Sequence, residues 1–182
     1  MTTPEEQTSG LHEQLASGSL AGTWTLDPAR STAALRSKSV WGLVPVKGVF
    51  RDIEGAGTVS AAGDTSGHVS LKTASLDTKN AKRDEHLRSD EFFSTQKYPA
   101  ITFTVDKVEP AGQGVNVTGT LTVRDQSRPL SFPASVARAG DAEISLDAAV
   151  QVDRSDFGLT WNQMGMSSMH NTITVHAVLT RS

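Results

Sequence analysis

The feature that most constrains the fold of this chain is a two-residue alternation of apolar and polar side chains. It recurs in the segments 100–106, 115–124, 130–136, 143–153 and 171–180. In the fourth of these segments, the apolar members are Ile144, Leu146, Ala148, Val150 and Val152. A period of two places successive side chains on opposite faces of a strand. Strands with one apolar and one polar face predict an antiparallel sheet, not a doubly wound parallel one.

Glycine, proline, asparagine and aspartate separate these segments, as hairpin loops require. About seven to nine strands are predicted from residue 22 onward, with some of the following segments fused: 22–27, 32–40, 46–52, 55–61, 67–77, 100–108, 114–124, 128–138, 142–153 and 171–181. So many strands without a set of covering helices favour a closed barrel or a sandwich.

One segment, 80–93, breaks the alternation and predicts one or two helical turns. Asn80 is a suitable N-cap, and Asp84 and Arg88 are spaced as a surface ion pair. The sequence RDEH within it has the residue types of acid–base catalysis. Consecutive helical residues point about 100° apart, however, so these side chains do not converge on one substrate atom. The apolar side that would dock this helix on the barrel consists of Leu87, Phe92 and Phe93.

Composition excludes several classes of function. The chain has no cysteine, which removes disulfides, thiolate catalysis and cysteine-based zinc sites. A net charge of −3 without a basic block argues against nucleic-acid binding. Residues 1–20 are polar and predict a flexible arm, disordered or loosely helical, ahead of a domain over 21–182. They lack the features of a signal peptide and no stretch is long enough to span a bilayer, so we expect a cytoplasmic protein.

The remaining chemical motifs are weak. No nucleophile elbow, P-loop or dinucleotide fingerprint is present, and the histidines lack metal-ligand spacing, so no catalytic residue, metal or cofactor is predicted. Met164, Met166, Met169 and His170 are better explained as a flexible apolar lip than as a copper site. Arg154, with Asp153 and Asp156, is predicted to fasten a tight turn around Ser155.

The residues predicted to face the interior include many small ones, and aromatic residues make up only 5% of the chain. An eight-stranded barrel is just wide enough for side chains to fill, or for one ligand where they are small. This favours a hollow interior, with a tightly packed core as the alternative. The small candidates are Ala33, Ser37, Thr73, Ala134, Ala148 and Ala177.

Four pieces of the sequence resemble the YceI-like family of lipid-binding, lipocalin-like proteins. They are WTLDPARS (24–31), SLDTKNAKRDEHLRSDEFFSTQKYPAITF (75–103), TGTLTVRDQSRPLSF (118–132) and DRSDFGLTWN (153–162). The resemblance extends over 22–181, and the long piece at 75–103 is its most specific part.

This resemblance implies an all-β fold, namely an extended antiparallel eight-stranded lipocalin-like barrel with a short covering helix. It also implies a long apolar tunnel for a polyisoprenoid, a quinone or a fatty-acyl amphiphile, and the possibility of a homodimer. It brings no catalytic residues with it.

We therefore expect a carrier that sequesters one long-chain apolar ligand. The alternatives are a solid barrel that acts as a stress-associated interaction scaffold, and an enzyme acting on a lipid inside the barrel. The expected ligand-contact residues are Leu35, Leu71, Phe92, Phe93, Ile101, Phe103, Val105, Leu121, Val123, Phe132, Leu146, Val150, Val152, Phe157 and Trp161.

Overall fold

The computed structural model describes residues 4–112, 114–162 and 165–182. Short 3-10 helices occupy Thr73–Ser75 and Arg154–Phe157. The other elements of the described ranges, in chain order, are α1 (Pro4–Ser17), β1 (Gly22–Leu26), β2 (Thr32–Ser39), β3 (Val44–Phe50), β4 (Ile53–Val59), β5 (Thr65–Lys72), β6 (Leu76–Asp77), α2 (Ala81–Arg88), β7 (Ala100–Ala111), β8 (Gly114–Val123), β9 (Gln126–Arg138), β10 (Glu143–Asp153) and β11 (His170–Arg181).

Eight strands close into an antiparallel ring. Their order is β1-β4-β5-β7-β8-β9-β10-β11, and β11 returns to β1. One edge of β11 serves two partners, because residues 179–181 pair with β1 and residues 172–176 pair with β2. The strands β2, β3 and β6 therefore extend the sheet at one end of the barrel. The predicted eight-stranded antiparallel barrel with a short covering helix is confirmed, and a sandwich is excluded.

The alternation of the sequence becomes the inside and outside of this barrel. In β8, buried residues alternate with half-buried ones along the entire strand. The buried side chains form a large cluster that includes Leu71 and Phe93 and a small one of Val115, Val117 and Ala134. Phe103 and Leu146 pack against both clusters. The apolar packing is thus continuous along the barrel axis.

The predicted strand over 67–77 is wrong in one respect, since it is interrupted. β5 ends at Lys72, and the chain turns through a 3-10 helix before β6 begins. Thr73, which is 2% exposed, replaces strand pairing with other bonds: its amide donates to Pro99 O at 3.0 Å and its Oγ1 to Tyr98 O at 3.0 Å. A buried polar group needs such partners.

Helix α2 begins where the sequence predicts. Asn80 Oδ1 accepts a hydrogen bond from the Arg83 amide at 3.1 Å, so Asn80 is the N-cap. Beneath the helix, Phe92 and Phe93 are buried, and Leu87 packs against the larger cluster. The apolar side of the 80–93 segment therefore covers one end of the barrel, as predicted.

The predicted Asp84–Arg88 ion pair is wrong. Asp84 is 7% exposed, and its Oδ1 accepts hydrogen bonds from Thr78 N at 3.0 Å and Thr78 Oγ1 at 2.5 Å. Arg88 instead donates to the carbonyl oxygen of Ala74 at 3.2 Å. The i,i+4 spacing suggested a pair, but the buried Thr78 offers the carboxylate two donors at once. Asp84 therefore fastens the connection from β6 to α2.

The N-terminal arm contains a helix that lies on the other end of the barrel. Leu11 and Leu15 of α1 are half-buried, and Leu20, which follows the helix, is buried. The indole of Trp24 donates to the Leu20 carbonyl at 2.9 Å and fixes the point where the arm joins β1. Flexibility of this arm and a domain boundary at 20/21 stay predictions. Within the described ranges, no helix is long and apolar enough to cross a membrane.

Candidate functional site

The end of the barrel beneath α2 contains an apolar cavity of about 200 Å³, called here the α2-end cavity. Its walls come from inward-facing positions of β2, β3, β7, β8, β10 and β11, and the residues around α2 and the 154–168 segment close it. Nine of the expected ligand-contact residues line it: Leu35, Phe92, Phe93, Ile101, Leu121, Val123, Val152, Phe157 and Trp161.

A second cavity of about 190 Å³ lies at the opposite end, beneath α1, and is called the α1-end cavity. Two expected contact residues, Val105 and Leu146, line it. The helical arm contributes Leu11, Leu15 and Leu20 to its wall. These three leucines were not predicted to line a cavity. The available signal was the helical spacing of Leu11 and Leu15, which are four residues apart.

Phe103 stands between the two cavities. On β7, Ile101 lines one cavity and Val105 lines the other, while Phe103 between them lines neither. Its ring centroid lies 5.4 Å from that of Phe132. A Cβ added to Gly119 would come within 2.8 Å of Phe103 Cζ, so the ring lies against bare backbone across the strand pair.

The structure thus divides the interior into two cavities where the resemblance implied one long tunnel. Phe103, which packs against both hydrophobic clusters, lies between the two cavities along β7. Four expected contact residues line neither cavity, namely Leu71, Phe103, Phe132 and Val150.

Polar side chains gather at the α2 side of the α2-end cavity. Arg83 is held by Thr78, since its Nε donates to Thr78 Oγ1 at 2.8 Å and its Nη2 to Thr78 O at 2.9 Å. The His86 imidazole hydrogen-bonds to Glu91. The His86 ring also stands edge-on to Trp161, with 4.2 Å between the ring centroids. These contacts give the rim of the cavity a fixed polar edge.

Arg154 lines the same cavity and is 7% exposed. Its Nε donates to Ser168 O at 3.0 Å, and its Nη1 donates to both Leu159 O and Trp161 O at 2.7 Å. Burial lowers the pKa of this guanidinium from its ordinary value, because the charge has lost its hydration. Arginine nevertheless stays protonated in proteins.

The predicted turn around Ser155 forms with different partners. Asp153 Oδ1 accepts from the Ser155 amide at 2.9 Å and from Ser155 Oγ at 2.5 Å, and these bonds lower the pKa of Asp153. Arg154 is bound to carbonyl oxygens and makes no ion pair with Asp153 or Asp156 within 4.0 Å. Each side chain therefore fastens a different part of the loop.

The charged residues that line the α2-end cavity are all basic. They are Lys38, Arg83 and Arg154, with the titratable His86, and no aspartate or glutamate is among the lining residues that the structure describes. The α1-end cavity has His68 as its titratable lining residue. Across the described ranges, no cluster of three acidic or histidine side chains is placed to hold a metal ion.

The β2–β3 hairpin projects beside the α2-end cavity. Its tip exposes 64% of Trp41 and 79% of Leu43. The Trp41 amide donates to Met166 O at 3.1 Å, and the Ser168 amide donates to Lys38 O at 2.9 Å. Of the predicted methionine lip, Met164 lies outside the described residues, and Met166 and Met169 do not line the cavity.

Among the polar residues that line the α2-end cavity, Ser37 was predicted to face the interior, whereas Asn171, Arg83 and Arg154 were not. For Asn171, the available signal was alternation in phase with Ile173, which lines the same cavity. For Arg83 and Arg154 there was no strand periodicity to use, because Arg83 lies in α2 and Arg154 follows the end of β10. Their positions depend on how the 78–93 and 154–168 segments fold over the barrel.

The fold and these cavities define the class of the protein. It is a small closed antiparallel β-barrel that keeps its two ends hollow and apolar, with a helix over each end and a basic rim at one of them.

The chain belongs to the family described as the YceI-like domain, whose model matches residues 24–180. Protein YceI of Escherichia coli O17:K52:H18 is 36% identical over 96 residues, which cover 52% of this chain and 50% of that protein. The chain spans from half to about three fifths of the length of the curated relatives that it matches first.

Two solved structures support the fold. BcnA of Burkholderia cenocepacia superposes with a TM-score of 0.76 at 26% identity, over 84% of this chain and 98% of that one. A polyisoprenoid-binding domain from Saccharophagus degradans superposes with a TM-score of 0.71 at 18% identity, over 87% of this chain and 98% of that one. At the lower identity, the likeness concerns the fold alone.

Proposed function

We propose that this protein binds and carries a long-chain apolar amphiphile, with the apolar tail in the α2-end cavity. The observation that carries the proposal is the hollow interior itself. The walls of this space of about 200 Å³ are apolar, so an apolar chain that enters it leaves water at a gain of roughly 25 cal/mol per Å² of apolar surface buried.

The relatives support the class of ligand. A domain with this fold is named for polyisoprenoid binding, and polyisoprenoids, quinones and fatty-acyl chains share an extended apolar tail. Each buried methylene contributes roughly 0.8 kcal/mol, so about ten carbons supply most of a micromolar affinity. A cytoplasmic carrier that works as a homodimer remains part of this proposal.

The cavity volumes limit how a long tail is held. Each cavity is smaller than the ~300–1,000 Å³ typical of ligand sites. A short tail is therefore accommodated within the α2-end cavity, up to Phe103. A longer tail requires Phe103 to change rotamer, which would join the two cavities.

The hollow ends disfavour a solid scaffold, because such a barrel gains nothing from unfilled space. An enzyme would need a nucleophile or an acid–base pair directed at the ligand. The His86–Glu91 contact lies at the rim, and among the described residues no serine hydroxyl is hydrogen-bonded to the His86 imidazole, since Ser89 Oγ donates to the backbone carbonyl of His86. Binding without turnover is therefore the proposal.

Two substitutions on one strand test it. Ile173 and Ala177 lie four residues apart on the inward face of β11, the first in the α2-end cavity and the second in the α1-end cavity. The delipidated protein and the variants Ile173→Phe and Ala177→Leu are titrated with 1-dodecanol and farnesol by calorimetry. We expect micromolar binding to the parent protein, a loss of at least tenfold in Ile173→Phe, and a change below threefold in Ala177→Leu.

Thermal unfolding confirms that both variants are folded before affinities are compared. Absence of binding to the parent protein contradicts the proposal. Equal affinities in all three proteins contradict the placement of the tail. Release of a chemically altered alcohol, detected by mass spectrometry, would indicate an enzyme instead.

A further inference from the structure

The Arg154 side chain has one group that the loop does not use. Three donors of the guanidinium are satisfied by the carbonyl oxygens of Ser168, Leu159 and Trp161. The Nη2 atom is buried and has no hydrogen-bond partner among the residues that the structure describes. Buried polar groups are almost always paired, so an unpaired one requires an explanation.

Arg154 also forms no ion pair with a carboxylate of the described residues, and Asp153 acts on its charge only from beyond contact distance. Asp153, its neighbour in the sequence, directs Oδ1 to the Ser155 amide and hydroxyl, and Oδ2 lies 3.7 Å from the His170 ring. The carbonyl oxygens around Arg154 satisfy N–H groups, but they carry no net charge. Burial of a cation without an anion is costly, which makes the site receptive to an incoming anion.

The surroundings of Arg154 strengthen this preference. The Phe92 ring lies 5.4 Å from Arg154 Cζ, measured to the ring centroid, and stabilises the cation without neutralising it. The other charged lining residues, Lys38 and Arg83, are also basic. In a cavity with apolar walls, the fields of these groups are screened less than they are in water.

We propose that Arg154 is the headgroup site of the α2-end cavity, and that the ligand it selects is an amphiphile with an anionic oxygen headgroup, a carboxylate or a phosphate. The Nη2 atom is enclosed in the structure, so binding requires the guanidinium to shift toward the cavity, where Nη2 donates to one headgroup oxygen. The tail lies among Leu35, Leu121 and Ile173. This inference rests on the proposed function, because it assumes a ligand in that cavity.

An anion explains the site better than a neutral carbonyl or hydroxyl. A quinone carbonyl or an alcohol would satisfy the Nη2 donor, but it would leave the buried guanidinium without an anion in contact. A carboxylate or a phosphate satisfies the Nη2 donor and also places an anion against the guanidinium. Charge-assisted hydrogen bonds are about twice as strong as neutral ones.

The test uses ligands that share one tail. The delipidated protein is titrated by calorimetry at pH 7.5 with dodecanoate, dodecyl phosphate, methyl dodecanoate and 1-dodecanol. We expect at least one of the two anions to bind ten times more tightly than both neutral compounds. Whichever of dodecanoate and dodecyl phosphate binds more tightly shows whether the site prefers a carboxylate or a phosphate headgroup.

Variants of Arg154 test whether this residue causes the preference for anionic over neutral ligands. Arg154→Gln should lower the affinity for the anions to that for the alcohol, while the affinity for 1-dodecanol stays within threefold. Arg154→Lys keeps the charge without the planar fork and should retain part of the preference. Arg124→Gln is the matched control, because Arg124 also has a buried unpaired nitrogen but lines neither cavity. It should leave the preference unchanged.

The outcomes separate the two proposals. If none of the four compounds binds, the proposed function fails. If all four bind with equal affinity, the headgroup inference is overturned while the proposed function stands. Because Arg154 also fastens the loop, Arg154→Gln requires a check of folding. If Arg154→Gln does not fold, the headgroup inference is decided by comparing the affinities of the parent protein for the anions and for the neutral compounds.

Discussion

Asp84 and Glu85 are neighbours in the sequence, yet their surroundings are opposite. Asp84 is buried and accepts two hydrogen bonds from Thr78, whereas Glu85 is exposed. Thr78 is itself 4% exposed, so water does not replace a lost partner. The charged sequence RDEH is therefore part structural support and part solvated surface.

We predict that Asp84→Ala lowers the free energy of unfolding by about 2–3 kcal/mol, because it leaves a buried amide and a buried hydroxyl without an acceptor. Glu85→Ala should change it by less than about 0.5 kcal/mol, as is usual for exposed positions. Urea denaturation of both variants measures the two values. Equal values would contradict the role assigned to Asp84.

Two residues show which features can be predicted from the sequence and which cannot. The N-cap role of Asn80 follows from local chain geometry, so the sequence predicts it correctly. The partner of Asp84 could not be predicted in the same way. The i,i+4 rule concerns exposed helices, and it cannot weigh Arg88 against a buried Thr78 that approaches from the β6–α2 connection.

At the scale of elements, the strands were more predictable than the helices and turns that cover the ends of the barrel. Alternation is a local property, and it placed the inward faces of β7, β8 and β10 correctly. The 3-10 turn at Thr73–Ser75 was missed, because it depends on contacts with Pro99 and Tyr98, which are distant in sequence. Helix α1 was missed as a cover, since its polar sequence has only Leu11 and Leu15 at helical spacing.

Helix α1 provides a prediction of its own. Leu15 is half-buried over the α1-end cavity, so Leu15→Ala should weaken the docking of α1 by about 1–1.5 kcal/mol. We expect amide exchange within residues 11–19 to accelerate roughly tenfold, while β8 is unaffected.

His12→Ala is the matched control, because His12 is exposed on the same helix. Hydrogen–deuterium exchange with mass spectrometry measures all three proteins. If α1 exchanges at the rate of an unfolded chain in the parent protein, the arm is flexible and is not a cover.

At the scale of the whole molecule, the two ends of the barrel have different chemistry. The α2 end combines an apolar cavity with Arg83, Arg154 and His86, whereas the α1 end is closed by leucines. Phe103 separates them. An amphiphile is therefore expected to enter from the α2 end with its tail toward Phe103 and its headgroup near Arg154.

The division of the interior could not be predicted from the pattern of residues. Alternation identified Phe103 as inward-facing, but it gives no information on which residue lies opposite. The Phe103 ring has its place between the cavities because Gly119 has no side chain there and because Phe132 packs beside it. Such cross-barrel contacts arise from register and closure, which no single strand specifies.

The central claim is that the barrel holds an apolar chain, and native mass spectrometry of the freshly purified protein tests it most directly. We predict a mass excess of lipid size that organic extraction removes and that Ile173→Phe lacks. Spectra of the folded protein without any excess mass, before and after incubation with dodecanoate and farnesol, would contradict the claim.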